Sequence, residues 1–293
     1  MAINDGVMVG KIIKSIGGLY TVKSFDSIMD CKARGIFRKD NISPVVGDMV
    51  EVNDGAIEKI LPRKNYIVRP PLANLDSMVF VVSMAKPTPN LSLLDKFIAV
   101  CEYKNIVPVV AITKIDLANF KNVYQIYSSI GLRVFVIDYN QPQSIDSLKE
   151  YLSDRVSAFT GNSGAGKSTL LNAIDSTLNI PTGEVSEKLG RGKHTTRHAE
   201  LYPLSSGGYV VDTAGFSTFE TNKYAIIKKD ELASCFREFE EYSKDCKFKD
   251  CSHTKEKGCA VLKAVQDGSI YKSRHNSYCE MYQEAKKIKD WEL

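Results

Sequence analysis

No stretch of this 293-residue sequence approaches the roughly 18 consecutive apolar residues of a membrane-spanning helix. The first twenty residues mix Asn, Asp, Gly and Lys with short apolar pairs and have no signal-peptide core. These absences lead to the expectation of a cytoplasmic protein with no membrane partner. Strong charge imbalance is missing too. The 39 Lys and Arg against 35 Asp and Glu leave a net charge of +4, so the case for a polyanionic partner has to rest on local patches. An even cysteine count is also missing. Seven cysteines cannot all pair within the chain, and in a reducing compartment a cluster of them is better used on a metal than in disulfides. What is present is ordinary globular composition, 43% hydrophobic and 25% charged, in a chain long enough for two or three domains.

Residues 7 to 62 carry five short β-rich runs, VMVGKII, LYTVKSF, SIMDCKA, GDMVEV and AIEKIL, separated by turn residues and without a helical period. This pattern predicts a small closed barrel of the oligonucleotide-binding kind; any small β-domain used as a spacer is the alternative. The segment RGIFRKDN sets Arg34, Arg38 and Lys39 around Phe37, cations beside an exposed aromatic, which suits an RNA backbone and a stacked base. RPPLANL (69–75) breaks the pattern and is read as an extended linker, since two prolines cannot join a ladder. The first domain is therefore expected to span residues 1–68. From 69 to 220, apolar runs such as SMVFVVSM, IVPVVAIT and VSAFT alternate with helical stretches, which predicts a parallel α/β sheet that binds its ligand at the carboxyl ends of its strands. Beyond 220 that texture stops. ELASCFREFEEY (231–242) has helical apolar spacing, so residues 221–293 are expected to form a third, helical module.

The strongest motif is GNSGAGKS, which follows the apolar strand VSAFT and opens a helix at Thr169. Gly161, Asn162, Ser163, Gly164, Ala165 and Gly166 would wrap phosphates with their amides, Lys167 would reach the terminal phosphates, and Ser168 would bind magnesium. YVVDTAGF would set Asp212 beside that magnesium and the Gly215 amide near a γ-phosphate. Between the two lies GRGKHTTRH, where Thr195 or Thr196 could complete the magnesium shell in the triphosphate state; a solvated loop is the alternative. AITKIDL supplies Thr113, Lys114 and Asp116, the last standing 45 residues before Gly161. The Asp116 carboxylate can accept the N1 and N2 hydrogens of guanine, which adenine does not offer, while the Lys114 stem can lie against the base. GTP is therefore expected over ATP, and an ATP-using kinase or ATPase is the alternative. Phe216 stands where other GTPases carry a water-orienting glutamine, so intrinsic hydrolysis should be slow. His194 could orient the water in its place.

Cys246, Cys251, His253 and Cys259 lie within fourteen residues and supply three thiolates and an imidazole, the donor set of a closed, structural zinc site. Lys244, Lys247, Lys249, Lys255 and Lys257 surround it and, with Lys272 and Arg274, suggest a phosphate-binding face, or else a solvated one.

A β-barrel, then TKID, GNSGAGKSTLLN, GRGKHTTRH, DTAGF and CKFKDCSHTKEKGC in that order resemble the circularly permuted GTPases of the RsgA (YjeQ/YloQ) family over nearly the whole chain. Such a permutation is physically possible because a sheet is assembled in space and its chain ends can be moved to an exposed loop. The resemblance implies a GTP hydrolase, slow alone, that binds the small ribosomal subunit and its rRNA during subunit maturation. It also implies His194 and Lys167 as catalytic residues, Thr196 joining Ser168 on magnesium, a zinc module that contacts the subunit, and a monomer. A GTP-gated RNA-binding protein with incidental hydrolysis is the second reading. Two positions depart from the family pattern. Thr113 replaces the usual Asn, which should lose an amide that braces the phosphate loop, and Asp138 and Tyr139 replace the usual Ser-Ala guanine contact. Because the chain passes from Asp212 into the zinc module, subunit contact is expected to be coupled to the nucleotide through that connection.

Overall fold

The computed structural model describes residues 7–25, 27–35, 37, 42–181, 200–213 and 225–288. Strands β1 (Met8–Ile16), β2 (Leu19–Lys23), β3 (Ile28–Ala33), β4 (Met49–Asn53) and β5 (Ala56–Ile60) close into a barrel in the order β1-β2-β3-β5-β4. The alternation visible in the sequence sets the inside: Ile12, Tyr20, Val22, Cys31, Val50, Val52 and Ile57 are buried. The register of β1 shifts between Ile12 and Lys14, which bends the strand and re-aims the side chains beyond it.

RPPLANL is not an extended linker. Strands β6 (Tyr66–Val68) and β7 (Pro71–Ala73) form a hairpin around it, with Val68 opposite Pro71. Pro71 is tolerated because it is the first residue of its strand, where the missing N–H interrupts no ladder. The hairpin docks on the barrel through the Ala73 amide, which donates to the Val46 carbonyl at 3.0 Å.

The central sheet contains β8 (Ser77–Ser83), β9 (Val107–Thr113), β10 (Arg133–Val136), β11 (Val156–Thr160), β12 (Tyr202–Pro203) and β13 (Tyr209–Asp212). Its order is β10-β9-β8-β11-β13-β12, and only β12 runs antiparallel. Every residue of β8 and β11 is buried, which is why these strands read as unbroken apolar runs rather than as alternating ones. Helices α1 (Leu91–Tyr103), α2 (Lys121–Ser129), α3 (Pro142–Leu152) and α4 (Lys167–Ile174) provide the crossovers. The chain leaves β8 toward β9 and β10, then crosses back to β11 and continues to β13. The direction of winding therefore reverses between β8 and β11, and the crevice at the carboxyl ends of these strands is the favoured ligand position in such a sheet.

The C-terminal module is built from two 3₁₀ turns (Leu232–Cys235 and Arg237–Phe239), α5 (Glu240–Ser243), α6 (Ala260–Gln266) and α7 (Lys272–Ala285). ELASCFREFEEY is thus broken rather than one helix. Phe236 leaves helical geometry (φ −114°, ψ 88°) and turns its ring into the core, against Phe239 and the edge of Tyr278 at centroid distances of 5.4 and 5.2 Å. Tertiary packing of these aromatics outweighs the local helical pattern.

The module grips α1, which is buried from Leu93 to Cys101. Asp95 accepts hydrogen bonds from Arg274 Nη1 at 2.7 Å, Tyr127 Oη at 2.9 Å and Ser277 Oγ at 2.6 Å. Arg274 also donates through Nε to Glu238 at 2.7 Å. Burial pushes the Asp95 carboxyl up, and the Arg274 charge opposes it. Arg274 is 1% exposed and spends its charge inside the protein, so it does not belong to the basic face expected from the sequence.

Candidate nucleotide and metal sites

The phosphate loop leaves β11 at Thr160 and enters α4 at Lys167. Gly161 passes so close to β8 that a Cβ there would stand 2.6 Å from the Val81 carbonyl oxygen. Gly166 caps α4 in the left-handed region (φ 90°), which puts the amides at the start of the helix on the loop side. Lys167 Nζ pairs with the Asp212 carboxylate at the end of β13 and donates to the Thr213 carbonyl at 2.8 Å. Thr213 is itself held by the Phe159 carbonyl, to which its hydroxyl donates at 2.7 Å. The residues from the two phosphate-side motifs that are described therefore meet at the ends of neighbouring strands.

The base-side motif meets the same loop. Thr113, buried at the end of β9, donates its hydroxyl to the Ala165 carbonyl at 2.7 Å. Lys114 adopts φ 55° and directs its ammonium to two carbonyls, Gly164 and Lys86, at 2.7 Å each. A left-handed lysine is strained, and these bonds hold it in place. Thr113 thus supplies the brace that the sequence comparison expected it to lose. Asp116 follows at the exposed rim, and its carboxylate has no partner among the described residues. Beyond β10, the Asp138 amide donates to Ser144 Oγ at 3.1 Å, while Asn140 and Gln141 donate back to Asp138. His194, Thr195, Thr196, His198, Gly215 and Phe216 lie outside the described residues, as do Arg38 and Lys39.

Sequence reasoning missed three supports of this site. The carbonyls of Lys86 and Thr213 were invisible because any residue carries one. Asp175, at the end of α4, takes hydrogen bonds from the amide and hydroxyl of Thr177 and of Ser205, tying the phosphate-loop helix to the β12–β13 turn. Burial alone would raise this carboxyl, but those four bonds outweigh it and hold the group well below the ordinary carboxylate range.

In the C-terminal module, Cys246, Cys251, His253 and Cys259 bring one ligand atom each to within 4.8 Å of one another. Zinc held tetrahedrally at about 2.3 Å by sulfur and 2.0 Å by nitrogen would place its ligands about 3.8 Å apart for sulfur pairs and about 3.5 Å for sulfur and nitrogen. The separations are 3.8 Å for Cys246 and Cys259, 3.6 Å for Cys246 and His253 Nδ1, and 3.5 Å for Cys259 and His253 Nδ1. The residues therefore fit a metal ion of this size. Burial pushes the Cys251 thiol up to about 12 and the Cys259 thiol upward, a shift that a cation would reverse. Burial lowers His253, favouring the neutral imidazole that metals bind. The loop is organised from outside as well. The Glu256 carboxylate accepts the amides of Ser252, Thr254 and Lys255 at 3.1 Å each, and His275 Nε2 donates to the His253 carbonyl at 2.8 Å. Lys244, Lys247, Lys249, Lys255, Lys257 and Lys272 are exposed around it.

In the barrel, Phe37 is half-buried against the core and Arg34 pairs with Glu58 at 2.7 Å, so this loop presents no exposed stacking ring at Phe37. No helix among the described residues is long and apolar enough to cross a membrane.

A Gly-rich loop between strand and helix, an acidic residue at the neighbouring strand end and a Lys-x-Asp turn bonded to the loop from earlier in the chain define a phosphate-loop nucleotide-binding protein with permuted motif order. Residues 60–222 match the RsgA GTPase family and residues 9–58 the RsgA N-terminal domain. The chain is 45% identical to the small ribosomal subunit biogenesis GTPase RsgA of Caldanaerobacter subterraneus subsp. tengcongensis, over 94% of this chain and 95% of that one. It is 42% identical to the protein of the same name from Alkaliphilus metalliredigens, over 95% and 98%. Among solved structures it resembles YjeQ from Thermotoga maritima (TM-score 0.80, 33% identity, 97% of this chain and 100% of that one). It also resembles YloQ, described as a circularly permuted GTPase (TM-score 0.78, 36% identity, 97% and 96%). The chain belongs to the RsgA GTPase family.

Proposed function

We propose that this protein is a monomeric cytoplasmic GTP hydrolase that binds the small ribosomal subunit and its rRNA, with turnover slow alone and raised by the subunit. The observation that carries this reading is the pair of bonds from Thr113 and Lys114 to Ala165 and Gly164, since they join the base-side and phosphate-side motifs into one site despite their reversed order. Asp116 would accept the guanine edge, Lys114 would flank the base, and Gly161, Asn162, Ser163, Gly164, Ala165, Gly166 and Thr169 would line the phosphates. Lys167 would neutralise the transferred phosphoryl charge. Magnesium, held by Ser168 and Thr196 with Asp212 nearby, would supply further positive charge to the phosphates. His194 would orient the attacking water and Gly215 would donate its amide to the γ-phosphate.

Three functional units follow from this reading: an RNA-facing barrel (1–68), the permuted GTPase (69–220) and a module (221–293) closed by zinc on Cys246, Cys251, His253 and Cys259. The exposed lysines around the zinc loop would face rRNA phosphates.

The deciding experiment measures GTP turnover with purified small subunits, large subunits or neither, in the wild type and in His194→Ala. Stimulation by small subunits alone, lost in the variant while GTP binding persists, is expected. Equal turnover in all three conditions would overturn the reading, and stimulated turnover retained by the variant would remove His194 from it.

A further inference from the structure

Among the described residues, the barrel strands and the edge of the sheet are joined directly by hydrogen bonds at one place, and the join leads to the nucleotide site. The Leu201 amide donates to the Ile13 carbonyl of β1 at 2.8 Å, and Glu200 pairs with Lys14 in an antiparallel bridge. Lys14 Nζ lies 2.9 Å from Glu200 Oε1. The register shift in β1 falls at this point, between Ile12 and Lys14, where the strand meets the 200–203 segment. That segment continues as β12, which pairs with β13. Tyr209, the first residue of β13, carries a second grip: the ammonium groups of Lys11 and Lys23, both from the barrel, stand 5.1 and 5.6 Å from its ring centroid. Asp212, the last residue of β13, holds Lys167.

Four barrel residues thus hold the hairpin at both ends: Ile13 and Lys14 at its open end, the end at which β13 reaches Asp212, and Lys11 and Lys23 at Tyr209, next to its turn. Between Tyr209 and Asp212 the strand is in unbroken register with β11, from Val156 to Phe159, so a displacement at one end is carried to the other and not absorbed by a loop. Asp175 fastens the hairpin turn to α4 at Ser205, so the hairpin is attached to α4, to β11 and, along β12, to the barrel.

We infer that Lys14 and Glu200 are positioning residues: their ion pair sets the β12–β13 hairpin, and through it Asp212 opposite Lys167, so that contact of the barrel with the small subunit reaches the nucleotide site by this route. The inference rests on the subunit-stimulated GTPase reading above. It also differs from a route through the C-terminal module, because every contact it uses lies in the barrel and the sheet. The pair is partly exposed (side chains 37% and 33%), and such pairs add little to global stability, so charge reversal should leave the protein folded.

The test compares wild type, Lys14→Glu, Glu200→Lys and the double reversal. Two readouts are taken: amide hydrogen exchange over Val210–Asp212 in the protein alone, and the ratio of GTP turnover with small subunits to turnover without. In each single variant, exchange should quicken about tenfold and the stimulation ratio should fall by a similar factor, with unstimulated turnover within about twofold of wild type. The double reversal should restore both. Exchange and stimulation unchanged in the single variants, or no recovery in the double, would overturn the inference. If wild type shows no stimulation by small subunits, the functional reading fails, and hydrogen exchange still judges whether the ion pair sets the hairpin.

Discussion

Thr113 and Ala165 are 52 positions apart in the chain, yet the hydroxyl of one donates to the carbonyl of the other at 2.7 Å. The bond joins the end of β9 to the phosphate loop across β8, and it is fully buried. A hydroxyl can replace the usual amide here because the acceptor is a single carbonyl within reach of a short side chain. Thr113→Val keeps the shape and leaves that carbonyl unpaired. Its GTP affinity should fall about 5- to 30-fold, the equivalent of about 1–2 kcal/mol for an unsatisfied buried acceptor, while Thr113→Ser should bind nearly as wild type. Titration with a fluorescent GTP analogue checks this; equal affinity in the two variants would show that the brace is idle.

Asp116 is expected to select the base. Asp116→Asn removes the carboxylate that would accept two guanine hydrogens and should weaken GTP by roughly 100-fold or more, since hydrogen bonds to charged groups are worth about 1.5–3 kcal/mol each. Xanthosine triphosphate, whose base presents a carbonyl where guanine has its amino group, should gain affinity in the variant. Competition of GTP, ATP and xanthosine triphosphate for one labelled nucleotide gives the ranking, and an unaltered ranking would place the guanine contact elsewhere.

The Cys/His loop should carry one zinc ion per chain, measurable by elemental analysis of the purified protein. Cys246→Ser or exhaustive chelation should release it and open the 246–259 segment to proteolysis, because the folding of a loop whose four ligands converge on one point is coupled to the metal. A metal-free protein with the same resistance to protease would show that the bonds to Glu256 suffice.

Asp175 gives a pH dependence with a definite sign. Its folded carboxyl lies well below the ordinary value of 3.8, so the stability it adds is fully present at neutral pH, begins to decline near pH 4 and is lost progressively as pH falls toward the lowered folded value. Asp175→Asn should be less stable than wild type by about 1–3 kcal/mol at pH 7. The gap between the two should narrow at pH 3.5 in parallel urea titrations; a gap independent of pH would mean that the loss does not come from the carboxylate charge.

The parts of the fold that were legible in the sequence are those fixed by local pattern. Alternation in VMVGKII and LYTVKSF marks the barrel, continuous apolar runs in SMVFVVSM and VSAFT mark the covered sheet, and GNSGAGKS carries its own conformational demands. What escaped depends on partners distant in the chain. The role of Thr113 turns on where β9 ends relative to the phosphate loop. Arg274 reads as a surface cation until α7 is packed on α1 and meets Asp95 and Glu238. The prolines of RPPLANL suggested a break because their position within a strand, first or interior, cannot be told from composition. ELASCFREFEEY has the helical period, but Phe236 is drawn into an aromatic cluster that the period does not encode.

The wrapping of α1 has a practical consequence for anyone dividing this protein into pieces. One flank of that helix rests on the sheet and the other on α7, so a fragment ending near residue 220 would uncover an apolar stripe and strand the Asp95 carboxylate without its guanidinium. Loss of activity in such a fragment would report a damaged fold and not a missing signal. Point changes on the surface, rather than scissors, are the tool for asking what the C-terminal module tells the rest of the chain.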